Sequence, residues 1–141
     1  MFINHFFNDT TLNVLKKGIE GTNLRDKAIS NNIANVDTPN YQRATVSFEE
    51  QLRRVLSKDG FIGRRTNPAH FIIGGPEEIP LVRPRVDIDN KTRFRPDRNN
   101  INIDEEMAGL ADNTQKNLEF TELLSRRYAA LRAVIQNAGG Q

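Results

Sequence analysis

The sequence contains no cysteine, which removes disulfide scaffolds, thiolate zinc sites and cysteine nucleophiles together. Histidine is scarce: His5 and His70 stand far apart, with no metal-ligand spacing between them. Both are expected to be ordinary structural or surface residues, and no metal site or cofactor is expected. Long apolar runs are also missing. The opening stretch, MFINHFFNDTTLNVLKK, has no basic residue before Lys16, so it is expected to be neither a cleaved secretory signal nor a membrane span. Apolar residues make up 37% of the 141 positions, which is thin for a self-contained core. The carboxylate pairs Glu49-Glu50, Glu77-Glu78 and Glu105-Glu106 fall on solvated or capping positions and suggest no acid–base site. No serine sits in a nucleophile-elbow context, and Gly74-Gly75-Pro76 is too short to cradle a phosphate. An enzyme is not expected.

What is present is unevenly spread. Lys and Arg against Asp and Glu number 5 against 6 over residues 1–52, 11 against 6 over 53–98, and 4 against 6 over 99–141. The middle third also holds five of the six prolines, Pro68, Pro76, Pro80, Pro84 and Pro96. That composition predicts loops, extended chain or short strands. The chain therefore divides into an N-terminal helix with an Asn-rich turn (1–52), a Pro/Gly/Arg-rich middle segment (53–98) and a C-terminal helix (99–141), together one assembly-dependent unit.

The flanks carry helical periodicity. From about Thr10 to Asn35, a spacing of three and four residues picks out Leu12, Leu15, Ile19, Thr22, Asp26, Ile29, Ile33 and Val36. Asp9 and Thr10 offer capping oxygens at its start. From about Asp104 to Asn137 the same spacing picks out Met107, Leu110, Thr114, Asn117, Thr121, Leu124, Tyr128, Leu131 and Ile135. Asp104 is the expected cap there, Glu105 and Glu106 suit the positive end of the dipole, and Gly139-Gly140 ends the helix. Each helix would span roughly 40 to 50 Å at 1.5 Å per residue. The fold class expected is mainly α: two long terminal helices paired as an antiparallel hairpin or coiled coil. Both seams are diluted by polar residues and offset little of the ordering entropy, about 1–2 kcal/mol per residue. Packing against copies or relatives of itself is the expected remedy. The surface for it is taken as Leu12, Leu15, Ile19, Ile29, Ile33, Met107, Leu110, Leu124, Tyr128, Leu131 and Ile135.

Between the first helix and the middle segment lies SNNIANVDTPNYQR. Asn31, Asn32 and Asn35 fall in the last turns of the helix, where their amides can satisfy orphan carbonyls, and Asn35 can take the left-handed position that ends it. Thr38 is pushed out of the helical region by Pro39, which presets a turn whose second corner, Asn40, requires φ > 0 in a type II geometry. Asp37 precedes this reversal and Tyr41 anchors its exit. Val46, Phe48 and Leu52 continue into a short amphipathic segment.

As one string, ISNNIANVDTPNYQR resembles the N-terminal signature of the bacterial flagellar rod, hook and hook-associated axial proteins. RPDRNNINIDEEMAGLADNTQKNLEFTELLSRRYAALRAVIQNAGG resembles the C-terminal region of the flagellar basal-body rod protein family, of the proximal rod type. Asn40 and Arg98 each stand where that family usually has glycine. The resemblance implies a structural subunit of the proximal rod, with terminal helices polymerising into the tubular drive shaft between membrane ring and hook. It implies as partners other copies of the chain, other flagellar rod proteins, the basal-body adaptor protein and membrane ring, and the flagellar type III export apparatus. It places the protein in the periplasm-spanning rod of the basal body, exported without a cleaved signal peptide.

One other reading uses the arginines of the middle segment, Arg53-Arg54, Arg64-Arg65, Arg83, Arg85, Arg93, Arg95 and Arg98, with Phe61, Phe71 and Phe94 between them. Such a stretch could bind nucleic acid or another anionic partner. Six acidic residues lie in the same segment and no recognition motif appears, so nucleic acid is not the expected partner. Salt bridges to neighbouring subunits, with Asp104 to Glu106 as partners, account for the same arginines.

Overall fold

A computed structural model describes residues 10–57, 82–92 and 95–138. The protein is mainly α. Helix α1 runs Thr10–Ala34, strand β1 Ala44–Ser47, helix α2 Glu49–Ser57, strand β2 Arg85–Ile88 and helix α3 Ile103–Ala138. Their lengths of 25 and 36 residues for α1 and α3 correspond to about 38 and 54 Å. His5, His70, Phe61, Phe71, Phe94, Asp9 and Gly139-Gly140 lie outside the described residues.

Helices α1 and α3 pair antiparallel. Ile29 lies beside Gly109, Thr22 beside Asn113 and Asn117, and Gly18 beside Phe120, while Thr11 and Leu15 share a shallow groove with Leu123, Arg127 and Ala130. Two glycines make the close approaches possible. A Cβ on Gly18 would stand 2.9 Å from the Phe120 ring, and one on Gly21 would stand 2.5 Å from the ring of Phe48. Both distances are shorter than side chains tolerate, so α1 is notched where two aromatic rings cross it.

The face of α3 turned to α1 differs from the periodicity read in the sequence. Glu106, Gly109, Asn113, Asn117 and Phe120 face α1, whereas Thr114 and Thr121 are exposed and turn their hydroxyls back to the carbonyls of Leu110 and Asn117, each at 2.8 Å. Asp26 is exposed as well. The contact centres on Glu106, Gly109 and Asn113, which carry no apolar signal, and shares Asn117 with the stripe read in the sequence. In the middle of the hairpin Thr22 is fully buried. Its carbonyl accepts from Asn113 Nδ2 at 2.9 Å and its hydroxyl from Asn117 Nδ2 at 2.8 Å. Of the polar residues that dilute the seams, Thr22 and Asn117 thus join Asn113 in a hydrogen-bonded polar layer.

Strands β1 and β2 form an antiparallel ribbon in the register Ala44↔Ile88, Val46↔Val86. Alternation turns Val46 inward and leaves Thr45 and Ser47 in solvent. Val46 joins Ala28 and Phe48 in a small core against α1, and Leu52 of α2 packs with Val82 and Val14. Arg25 straps this layer down. Its guanidinium grips Glu49 through two contacts of 2.5 and 2.6 Å, donates to the Val46 carbonyl at 2.8 Å, and lies 5.0 Å from the Phe48 ring centroid. The segment boundary expected after residue 52 falls inside α2, and the one after residue 98 falls inside a turn described below.

Candidate functional site

The closed end of the hairpin collects the residues that stood out in the sequence. Helix α1 ends by tightening: the Asn35 N–H is shared between the Asn31 and Asn32 carbonyls, and the Val36 N–H reaches Ile33 O at 3.3 Å. The chain then reverses at Thr38-Pro39-Asn40-Tyr41, where the Tyr41 N–H donates to the Thr38 carbonyl at 3.3 Å. Asn40 has φ 62°, the left-handed value that the second corner of a type II turn requires. Asn35 does not take that conformation. The helix stops without a left-handed cap because the carbonyls beyond it are satisfied from elsewhere in the chain.

They are satisfied by Asn99. Its side-chain amide is fully buried and donates to the carbonyls of Asn35, Val36 and Thr38 at 3.1, 3.0 and 2.9 Å. Its Oδ1 accepts the Ile101 N–H at 2.8 Å. Asn99 is held by its own turn: the Arg98 N–H donates to Arg95 O and the Arg95 N–H to Asn99 O, both at 3.1 Å, with Arg98 left-handed at φ 65°. This is a tight turn over Pro96-Asp97 followed by one left-handed residue. The two turns then touch. The Asn40 N–H donates to Asp97 O at 3.0 Å, and Gln42 Nε2 donates to Arg98 O at 2.8 Å.

Around this contact lie three more buried polar side chains. Asn32 exchanges two hydrogen bonds with the backbone of Ala44, giving at 2.8 Å and receiving at 3.0 Å, and donates to Glu106 Oε2 at 3.0 Å. The helix amide thereby takes the place of a strand neighbour for β1. Glu106 is 2% exposed and pairs with Arg43 Nε at 2.5 Å. Asn100 accepts the Arg43 N–H at 2.7 Å and donates to Asp89 O at 2.7 Å. The Asp89 carboxyl takes the Thr92 hydroxyl and the N–H groups of Lys91 and Thr92, which holds it below the usual carboxylate range. At the start of α3 the cap is Asn102, whose Oδ1 accepts the Asp104 N–H at 3.1 Å, and not Asp104 itself. Asp37, Thr38, Pro39 and Asn40 form an exposed corner, with Tyr41 half-buried at its exit.

The residues expected to meet a neighbouring subunit divide into two groups. Leu12, Leu15 and Ile29 are buried within the chain, and Ile19 and Ile33 are partly so. Ile29 and Leu15 lie against α3 across the hairpin, beside Gly109 and Leu123. Leu110, Leu124 and Leu131 are half-buried, while Met107, Tyr128 and Ile135 are 52%, 43% and 65% exposed. Leu118, Leu123 and Val134 add to this open apolar surface. Among the described arginines of the middle segment, Arg53 and Arg54 pair with Glu50, Arg85 with Asp87, and Arg95 with Asp37. The acidic start of α3 is taken by Arg43, through Glu105 and Glu106, rather than by those arginines.

Sequence reasoning singled out Asn32, Asn35 and Asn40, and named Glu106 only as part of an acidic helix start, but missed Asn99, Asn100, Asn102 and Arg43. The signal available was the run RNNIN directly before an acidic helix start, which reads as capping residues only once a partner for their amides is known.

Among the described residues no helix is long and apolar enough to cross a membrane, and no group of side chains could hold a metal ion. A family model described as flagella basal body rod protein matches residues 24–42, the end of α1 and its turn. Over nearly the whole chain the sequence is similar to flagellar basal body rod proteins FlgB. The one from Borrelia hermsii is 29% identical over 91% of this chain and 97% of its own length. The Bacillus subtilis protein is 28% identical over 89% and 92%, and the Escherichia coli protein 25% identical over 92% and 95%. The family match falls on the first of the two turns, and the similarity over most of the chain supports a flagellar basal body rod protein of the FlgB type.

Proposed function

We propose that the protein is a structural subunit of the flagellar basal-body rod, without enzymatic activity, that polymerises through its helices into the proximal part of the drive shaft. The observation that carries this reading is the surplus of α3. Helix α3 has 36 residues against 25 in α1, and residues 129–136, past Tyr128, are exposed except for half-buried Leu131. A helix end bearing Tyr128, Leu131, Val134 and Ile135 has no partner among the described elements and gains stability only when a neighbour covers it. Copies of the same chain and other rod proteins are the partners we assign to it. The adaptor protein and membrane ring adjoin the assembled base, and delivery is by the flagellar type III apparatus without a cleaved signal. A hairpin held by polar contacts and a small core suits a chain that is threaded through a channel before it folds.

The test is to express a tagged copy in a flagellated bacterium lacking its own FlgB-type protein and to isolate basal bodies. The reading predicts the tagged chain within rods, at a site inside the membrane ring. A chain recovered only from the soluble fraction, with rods still missing, would contradict it.

A further inference from the structure

We infer that the two turns form a single cooperative lock, opening and closing together, and that Asn99 is the positioning residue that couples them. Every observation behind this lies within one chain, so it stands apart from the question of what the chain assembles with. The turn at Thr38–Tyr41 has one internal hydrogen bond, the 3.3 Å contact from Tyr41 to Thr38, and a left-handed Asn40 at its corner. The turn at Arg95–Asn99 likewise carries a non-glycine left-handed residue, Arg98. Left-handed backbone at a residue with a Cβ persists only when its surroundings hold it. Each turn supplies those surroundings for the other.

Asn99 gathers the carbonyls of Asn35, Val36 and Thr38 around one buried amide, and Asp97 O receives the Asn40 N–H. If the second turn opens, the Asn35, Val36 and Thr38 carbonyls lose the Asn99 amide at once, Val36 O loses Arg95 as well, and the Asn40 N–H loses its acceptor, which leaves Asn35 O and Thr38 O only their local donors, Thr38 and Tyr41. If the first turn opens, Asn99 is left as a buried amide without acceptors. Neither half is stable in its observed form alone, which is the condition for a cooperative unit. Arg95 reinforces the closure by donating to Val36 O at 3.0 Å and pairing with Asp37 at 3.2 Å. The polar layer at Thr22, Asn113 and Asn117 lies further down the hairpin and shares no hydrogen-bond partner with the lock, so it serves as an internal reference.

The experiment is amide hydrogen exchange on the full chain, comparing wild type with Arg98→Gly, Asn99→Asp and the double variant. Arg98→Gly removes the left-handed cost in the second turn. It should slow exchange about tenfold at the Arg98 and Asn99 amides and by a similar factor at Asn40 and Tyr41 in the other turn, with amides around Thr22 unchanged. Asn99→Asp places carboxylate oxygens against three carbonyls and should speed exchange at Asn40 and Tyr41. In the double variant the gain from glycine should stay within the second turn. Should Asn99→Asp not fold, Asn99→Ala takes its place, since it removes the donors without adding charge. A gain from Arg98→Gly confined to its own turn in the wild-type background would overturn the cooperative lock. A remote gain that persists undiminished in the Asn99 variants would overturn the role of Asn99.

Discussion

Asn40 donates its backbone N–H to the carbonyl of Asp97 at 3.0 Å, and each of the two stands next to or at a left-handed corner, Asn40 at φ 62° and Arg98 at φ 65°. Segments far apart in sequence thus meet through main-chain groups whose geometry only these strained backbones provide. The family resemblance places glycine at both corners, and the chain holds both shapes without it.

The corner residues therefore differ sharply in what they tolerate. Asn40→Gly should be neutral or stabilising, while Asn40→Val should cost about 1–2 kcal/mol, since a β-branched side chain is the worst occupant of φ > 0. Urea unfolding of the purified chain gives the magnitude, and motility of cells carrying each variant gives the consequence. Equal behaviour of the two variants would show that the corner is not strained.

Gly21 offers a test of the packing. Alanine within a helix is ordinarily favoured over glycine by about 1 kcal/mol, but a Cβ here would meet the Phe48 ring at 2.5 Å. Gly21→Ala should be destabilising despite the propensity gain, by roughly 1–3 kcal/mol, and Gly21→Ala with Phe48→Leu should recover part of that loss. Thermal unfolding followed by circular dichroism reads both.

Glu49 gives the acid side of the stability curve a shape. Burial works against its charge, but the hydrogen-bonded Arg25 guanidinium and neighbouring N–H groups outweigh it and hold its carboxyl below the ordinary 4.5. A carboxyl whose folded value is depressed contributes stability that is present above its unfolded value and disappears as pH falls through the folded one. The gap in midpoint temperature between wild type and Glu49→Gln should be open at pH 6 and close as pH falls below 4.5. A gap of constant width down to pH 3 would mean that the Arg25 contact does not depend on the charge of Glu49.

The two long helices, their approximate ends and the turn at Pro39-Asn40 were legible in the sequence because period, proline and asparagine act locally. The face of α3 that meets α1 was not, because Gly109, Asn113 and Glu106 occupy it and an apolar count passes over them. The same holds for Gly18 and Gly21, whose meaning depends on rings contributed by Phe120 and Phe48 from distant segments. The role of Asn99 was hidden for a related reason: an amide that satisfies carbonyls some sixty positions away leaves no local pattern. Periodicity marked Leu12 and Leu15 as apolar positions of one face, and both are buried within the single chain, a burial that sequence alone does not assign to one chain or to several.

The central claim, that the end of α3 bearing Tyr128, Val134 and Ile135 is covered by neighbouring subunits, is tested most directly at Ile135, which is 65% exposed in the isolated chain. Ile135→Asp should leave the fold of the monomer unchanged, because a charge at that position stays in water, and yet place an unpaired carboxylate in the wall of an assembled rod at a cost of several kcal/mol. Ser125→Glu, at another exposed position of the same helix, is the comparison. In cells lacking the native protein, electron microscopy of isolated basal bodies should find rods absent or truncated with Ile135→Asp and complete with Ser125→Glu, both variants being exported at wild-type levels. Complete rods from Ile135→Asp would contradict the account.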